Sequence, residues 1–217
     1  MYPFQFMPNS IVAVCGPSQI GKTRFVQRVI DEMDGLYKQP APAFVVYCYS
    51  IWQQAYVEIK EKHGGKVIFH QGLPENDYIK QISSAHPHCL MVLDDTLEPI
   101  IDRPEILSLF LEKVHHYKMN LFYILHHLFA VGKNRRTLSL QTQYFVLFPN
   151  RVDQLSFEIF ARHLGRKEAK EFMDIYNDIK EAKYRYFIVD CHARSESPDF
   201  FVWCQVFKDE KTIAYKL

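Results

Sequence analysis

The chain has 217 residues, with 48% hydrophobic, 24% charged and 15% aromatic residues, a length and usage that fit one globular domain and exclude disordered, collagenous and low-complexity classes. A chain of this size buries roughly 70% of its unfolded surface, so its core requires neither disulfides nor a structural metal. With 26 basic against 25 acidic residues there is no global nucleic-acid or membrane signature, and any such partner must be held by a local patch.

The opening MYPFQFMPNS lacks the basic and apolar regions of a signal peptide. No run of about 18 apolar residues predicts a membrane span. Apolar residues at 11–14 predict a strand, followed by glycine and a helical pattern over 22–33. A proline-containing connector at 39–42 leads to 43–49 (AFVVYCY), apolar throughout, as expected of a strand buried on both faces. Residues 53–63 read as a helix stopped by Gly64-Gly65, 66–70 (KVIFH) as a strand, 76–84 as a helix and 89–93 (CLMVL) as a strand. A helix is predicted over 105–117, strands over 121–125 and 144–148, and helices over 155–164 and 167–179 around Gly165. The tail adds strand candidates at 186–190 and 200–207. Strands alternating with helices predict an α/β fold with a mostly parallel central sheet and helices on both faces, in one domain over 1–217. Its core is about 9–190, and the strands within 186–217 extend the sheet. The five cysteines, Cys15, Cys48, Cys89, Cys191 and Cys204, form no CxxC pair, and four lie in apolar runs, the pattern of reduced thiols in an intracellular compartment.

Gly16-Pro17-Ser18-Gln19-Ile20-Gly21-Lys22-Thr23 matches G-x-x-x-x-G-K-[ST] between a strand and a helix. Glycines let such a loop turn its backbone N–H groups toward phosphates, and the following helix N-terminus adds its dipole. Lys22 reaches the β- and γ-phosphates of a nucleotide there, and the Thr23 hydroxyl ligates Mg²⁺. The strand over 89–93 ends in Asp94-Asp95, which suits Asp94 to Mg²⁺ and Asp95 to polarising the attacking water, although adjacent acids also cap turns. The span from Lys22 to Asp94 leaves room for two strands. This suits the P-loop branch with an extra strand between the loop strand and the acid-tipped strand. After 121–125 stand His126 and His127, either of which could touch the γ-phosphate or the water, or simply face solvent. No Cys or acid lies at zinc-ligand spacing from them. His115 and His116 belong on a helix surface. Gly132-Lys133-Asn134-Arg135-Arg136 is a basic loop before strand-like TLSLQ, suited to DNA backbone or to an arginine finger, and Arg162 is a second finger candidate.

The succession CGPSQIGKT, VVYCYSIWQ, VIFHQGLP, LMVLDDT, LFYILHHLF and GKNRRTLSLQTQYFVLFPNRVD, then a helix containing FARHLG, resembles the genome-packaging ATPases of the FtsK–HerA superfamily. It is similar above all to those of Polinton/Maverick elements, adintoviruses and related double-stranded DNA viruses, with the poxvirus-type packaging ATPases as relatives. The resemblance covers about residues 9–190. It implies a P-loop NTPase of the RecA-like (ASCE) kind, working as a homo-oligomeric ring, pentamer or hexamer. Such a ring hydrolyses ATP with Mg²⁺ to move double-stranded DNA into a preformed capsid through a portal-like vertex. The host nucleus, a cytoplasmic viral factory and the virion are the implied locations. By position, Gly16, Pro17, Ser18, Gln19, Ile20, Gly21, Lys22, Thr23 and Arg24 would bind nucleotide, Thr23 and Asp94 Mg²⁺, and Asp95 the water. His126 stands where the family carries a glutamine sensor, and LSLQTQY where it more often has asparagine after the leucine. Arg136 matches the family's arginine ahead of that strand, giving a catalytic set of Lys22, Asp95, His126 and Arg136. Lys133, Arg135, Arg136 and Arg162 would contact DNA or a neighbouring subunit. A nucleotide-dependent switch with little turnover is the alternative, and a small nucleotide kinase a weaker one.

Overall fold

Strand β1 (Ile11–Cys15) is buried along its whole length. Ile11, Ala13 and Cys15 enter one core cluster, and Val12 and Val14 enter another. A strand apolar on both faces needs helices on both sides, and the chain supplies them. The computed structural model describes residues 3–97, 100–129, 132–150, 152–180, 186–193 and 201–217.

After β1 come α1 (Lys22–Asp31), the short α2 (Met33–Leu36), β2 (Val45–Tyr49), α3 (Gln54–His63), β3 (Val67–Gln71), α4 (Asn76–Ala85) and β4 (Leu90–Asp94). Then follow α5 (Pro104–Ser108), a π-helical turn (Leu109–Lys113), α6 (Val114–His116), β5 (Asn120–Leu125), α7 (Arg135–Gln141) and β6 (Tyr144–Leu147). Helices α8 (Gln154–Leu164) and α9 (Arg166–Lys180) precede β7 (Phe187–Asp190), β8 (Phe201–Cys204) and β9 (Ile213–Lys216). The strands form one sheet in the order β3-β2-β4-β5-β1-β6-β7-β8-β9. β1 through β6 pair in parallel, and β7, β8 and β9 join antiparallel. The chain therefore has the α/β, mostly parallel sheet that its alternating pattern predicts, with β5 between β1 and β4.

On one face Phe25, Val26 and Val29 of α1 and Tyr56 and Ile59 of α3 pack with Phe4 and Phe6 of the N-terminal segment. On the other lie Ile79 of α4, Phe110 of the π turn, Leu138 of α7, Phe160 of α8 and Phe172 of α9. Among the described residues, no helix is long and apolar enough to cross a membrane.

Three expectations need correction. The strand-like TLSLQ lies in helix α7, so Arg135 and Arg136 belong to a helix's first turn and not to a loop. Leu138 and Leu140 mimic a strand's two-residue period, yet Leu138 is buried and Leu140 is 73% exposed. β1 is already paired on both sides by β5 and β6, so no inner slot remains beside it. The turn into α7 is set by Asp102, whose Oδ1 accepts the backbone N–H of Lys133 (2.6 Å) and Asn134 (3.2 Å). The helix expected over 105–117 is interrupted by its π turn, where buried Lys113 donates to Asn76 Oδ1. The first helix stops at Asp31 and α2 follows as a separate turn.

Cys15, Cys48, Cys89 and Cys204 are buried, and Cys191 is half-buried. Burial pushes the Cys89 thiol up to about 11, and burial with nearby Asp190 pushes Cys191 up to about 12. At pH 8 the reactive thiolate is then about one part in a thousand for Cys89 and fewer for Cys191. Iodoacetamide at pH 8 should leave both unmodified in the folded chain and label both in guanidinium, as read by peptide mass. Rapid labelling of Cys191 in the folded protein would contradict this packing.

Candidate active site

Side-chain alternation along the central strands determines what meets at their carboxyl ends. Leu90 and Val92 of β4 enter the core on the α1–α3 face, and Asp94, the next residue in that period, projects to the same side. Phe122 and Ile124 of β5 share that face, and His126 follows them while His127 is exposed. Of the two histidines, then, His126 turns toward the loop after β1. Gly16 N–H donates to Leu125 O at 3.2 Å, which brings the end of β5 against that loop.

Between β1 and α1 the backbone curls tightly. A Cβ on Gly16 would lie 2.6 Å from Phe148 Cβ, so a side chain there would push the loop off the sheet. Gly21, with φ 110°, turns the chain into α1, whose N-terminus receives no side-chain cap. Its first N–H groups and the helix dipole therefore suit an anion. Lys22 is 6% exposed. Its ammonium donates to Gly16 O (2.7 Å) and Pro17 O (2.9 Å) and lies 3.4 Å from His126 Nδ1. Ser18 Oγ lies 3.3 Å from the same nitrogen, and His126 Nε2 stands 3.0 Å from Asp95 Oδ1. An ammonium has only protons to give, so Nδ1 is the acceptor and the Nε2 proton faces Asp95.

Asp94 is 1% exposed. Its Oδ2 accepts hydroxyls from Tyr47 (2.6 Å), Tyr56 (2.9 Å) and Thr23 (3.4 Å). Burial pushes the Asp94 carboxyl up; the Tyr47 bond opposes the rise and the Asp95 charge adds to it. Burial and the Asp94 charge push both tyrosines up, so both stay protonated donors. Asp95 takes a left-handed backbone, φ 53°. Its Oδ1 is buried with no aligned hydrogen bond despite the nearby imidazole, and keeps accepting capacity.

These groups enclose a cavity of about 360 Å³. Ser18, Gln19, Gly21, Lys22, Thr23 and Arg24 line its loop side, facing Gln53, Asp94, Asp95 and His126. Pro17 offers its carbonyl to Lys22, Ile20 packs toward the core, and the exposed Arg24 donates to Gln27 Oε1 (2.8 Å) and Glu58 Oε2 (3.4 Å). Lys133, Arg135 and Arg136 are exposed around the start of α7 and do not line this cavity. Arg162 is exposed on α8, along the groove against α9. Within one chain, Arg136 therefore does not join Lys22, Asp95 and His126.

Sequence reading passed over Tyr47, Tyr56 and Gln53 as site residues. The available signal was that a tyrosine within an all-apolar strand needs a partner for its hydroxyl. The residues present fit magnesium: Thr23 and Asp94 offer hard oxygen ligands, and Asp95 Oδ1 is a buried acceptor with capacity left.

A strand–loop–helix of this sequence beside an acid-tipped strand, with one strand between, is the P-loop NTPase fold. No family model and no curated protein matches the chain. Among solved structures it is similar to the cytoplasmic domain of EssC, at 12% identity and TM-score 0.47, over 96% of this chain and 39% of that one. It is also similar to the N-terminal domain of zonular occludens toxin from Neisseria meningitidis, at 10% identity and TM-score 0.41, over 97% of this chain and 94% of that one. The chain thus spans about two fifths of the length of the EssC chain it matches.

Proposed function

We propose that this chain is a Mg²⁺-dependent ATPase that moves double-stranded DNA, as a ring of identical subunits packaging a viral or transposon genome does. The observation that carries the ATPase reading is the convergence of Lys22, Thr23, Asp94, Asp95 and His126 on one cavity at the mouth of the loop. In this reading Lys22 exchanges the Gly16 and Pro17 carbonyls for phosphate oxygens. Thr23 and Asp94 would hold magnesium, which when bound would supply positive charge against the phosphates. Asp95 orients the attacking water and accepts its proton, while the imidazole of His126 fixes the carboxylate from the side of Lys22. The DNA part rests on the sequence resemblance and on the exposed Lys133, Arg135 and Arg136.

One observation favours a second reading, a nucleotide-binding switch with little turnover. His126 occupies the sensor place and already engages both Asp95 and Lys22. ATP hydrolysis measured at several protein concentrations, with and without double-stranded DNA, separates the two. Turnover that rises with both supports the motor; tight Mg·ATP binding without turnover supports the switch. Reversing Lys133, Arg135 and Arg136 to glutamate should abolish DNA stimulation. It should also lower the log–log salt slope of DNA binding by about 3, near one unit per phosphate contact. An unchanged slope would place the DNA contact elsewhere.

A further inference from the structure

We infer that Tyr47 and Tyr56 are positioning residues for the magnesium-binding carboxylate, a role that rests on the ATPase reading above. Both side chains are fully buried, and they reach Asp94 from different elements, β2 and α3. Both hydroxyls donate to the same oxygen, Oδ2, at 2.6 and 2.9 Å. With Thr23 also directed at Oδ2, that atom's lone pairs are engaged, and Oδ1 is the oxygen left for the metal or its bound water. The phenol rings are themselves held. Their centroids lie 5.0 Å apart, Phe69 packs at 5.4 Å from Tyr47 and 5.8 Å from Tyr56, and Trp52 lies 5.5 Å from Tyr56. Two donors fixed by packing remove the freedom of the carboxylate to rotate, which is how outer partners orient a ligand. Tyr56 also stands three residues beyond Gln53, which lines the cavity, so one short segment carries both a cavity wall and a partner of the metal carboxylate.

The test uses the full chain with Tyr47→Phe, Tyr56→Phe and the double variant, which remove only the hydroxyls. ATP binding is measured by calorimetry in EDTA and across a Mg²⁺ titration, with thermal melts in parallel. Metal-free ATP affinity should stay within about two-fold of wild type, while half-saturating Mg²⁺ rises on the order of ten-fold in each single variant. The double variant should fall short of the product, because both hydroxyls share one acceptor. Unchanged half-saturating Mg²⁺ in folded variants overturns the inference. Equal weakening of ATP with and without metal marks a merely structural role and overturns it too. If Tyr47→Phe does not fold, Tyr56→Phe alone decides by the same comparison. A wild-type chain that binds ATP in neither condition overturns the nucleotide reading itself, and this inference with it.

Discussion

Lys22→Ala should lower ATP turnover by at least about a hundred-fold while leaving the fold in place. A positioned cation that meets charge developing on the transferred phosphoryl group contributes on the order of 3 kcal/mol or more to the barrier. In the structure the ammonium lies inside the loop, against the Gly16 and Pro17 carbonyls and 3.4 Å from His126 Nδ1. Its loss removes the two hydrogen bonds to these carbonyls, roughly 1.5–3 kcal/mol each for a charged donor, but also the cost of burying the ammonium, so these contributions to the fold offset in part. Phosphate release assayed beside a thermal melt separates the two effects. Turnover within three-fold of wild type in a well-folded variant would remove the loop from the chemistry. Asp95→Asn tests the other side of the cavity, and there the expected loss is in turnover rather than in ATP binding, since the water loses its proton acceptor.

The largest stability effect is expected at Phe6. The side chain is fully buried ahead of β1. Its ring meets Phe4 at 4.8 Å, Tyr144 at 5.1 Å, and Tyr37 and Phe122 at 5.4 Å. Its backbone exchanges hydrogen bonds with Leu36 O (2.7 Å) and Lys38 N–H (2.9 Å), which fasten the N-terminal segment beside the end of α2. Phe6→Ala should therefore cost about 4 kcal/mol, from lost transfer energy and from a cavity that rigid aromatic neighbours cannot fill. For a chain of this length that lowers Tm by roughly 10 °C. A shift below about 3 °C would mean that the segment does not close the core as described.

The sheet was legible because its strands are apolar on both faces, a pattern that few other structures tolerate. The phosphate loop was legible because its chemistry demands residues at fixed spacing, and Asp94-Asp95 because acids at the end of an apolar strand are conspicuous. The choice between His126 and His127 was open in the sequence. It closes once Ile124 is seen to face α1, since alternation then carries His126 to the same side. Tyr47 and Tyr56 were not legible, because their hydroxyl partner is a residue of another strand and nothing local marks it. Helix α7 was misread because Leu138 and Leu140 imitate a strand, and only the double pairing of β1 excludes one there. Phe4 and Phe6 share the two-residue spacing of Leu138 and Leu140, too short a pattern to mark a core, and their weight comes from rings supplied by Tyr37, Phe122 and Tyr144.

The placing of β1 between β5 and β6 bears on how the chain is made. β1 leaves the ribosome well before its neighbours: the partner of Ile11, Leu121, is about 110 residues behind, and that of Val12, Tyr144, about 130. At roughly 5–20 residues per second, that strand and its loop wait on the order of 5–25 seconds for their neighbours. Through this interval an apolar, β-prone segment has no lasting place to dock, the condition under which nascent chains engage chaperones and concentrated refolding leads to aggregates. The phosphate loop is therefore made before β5 and β6, the strands that flank β1 in the sheet.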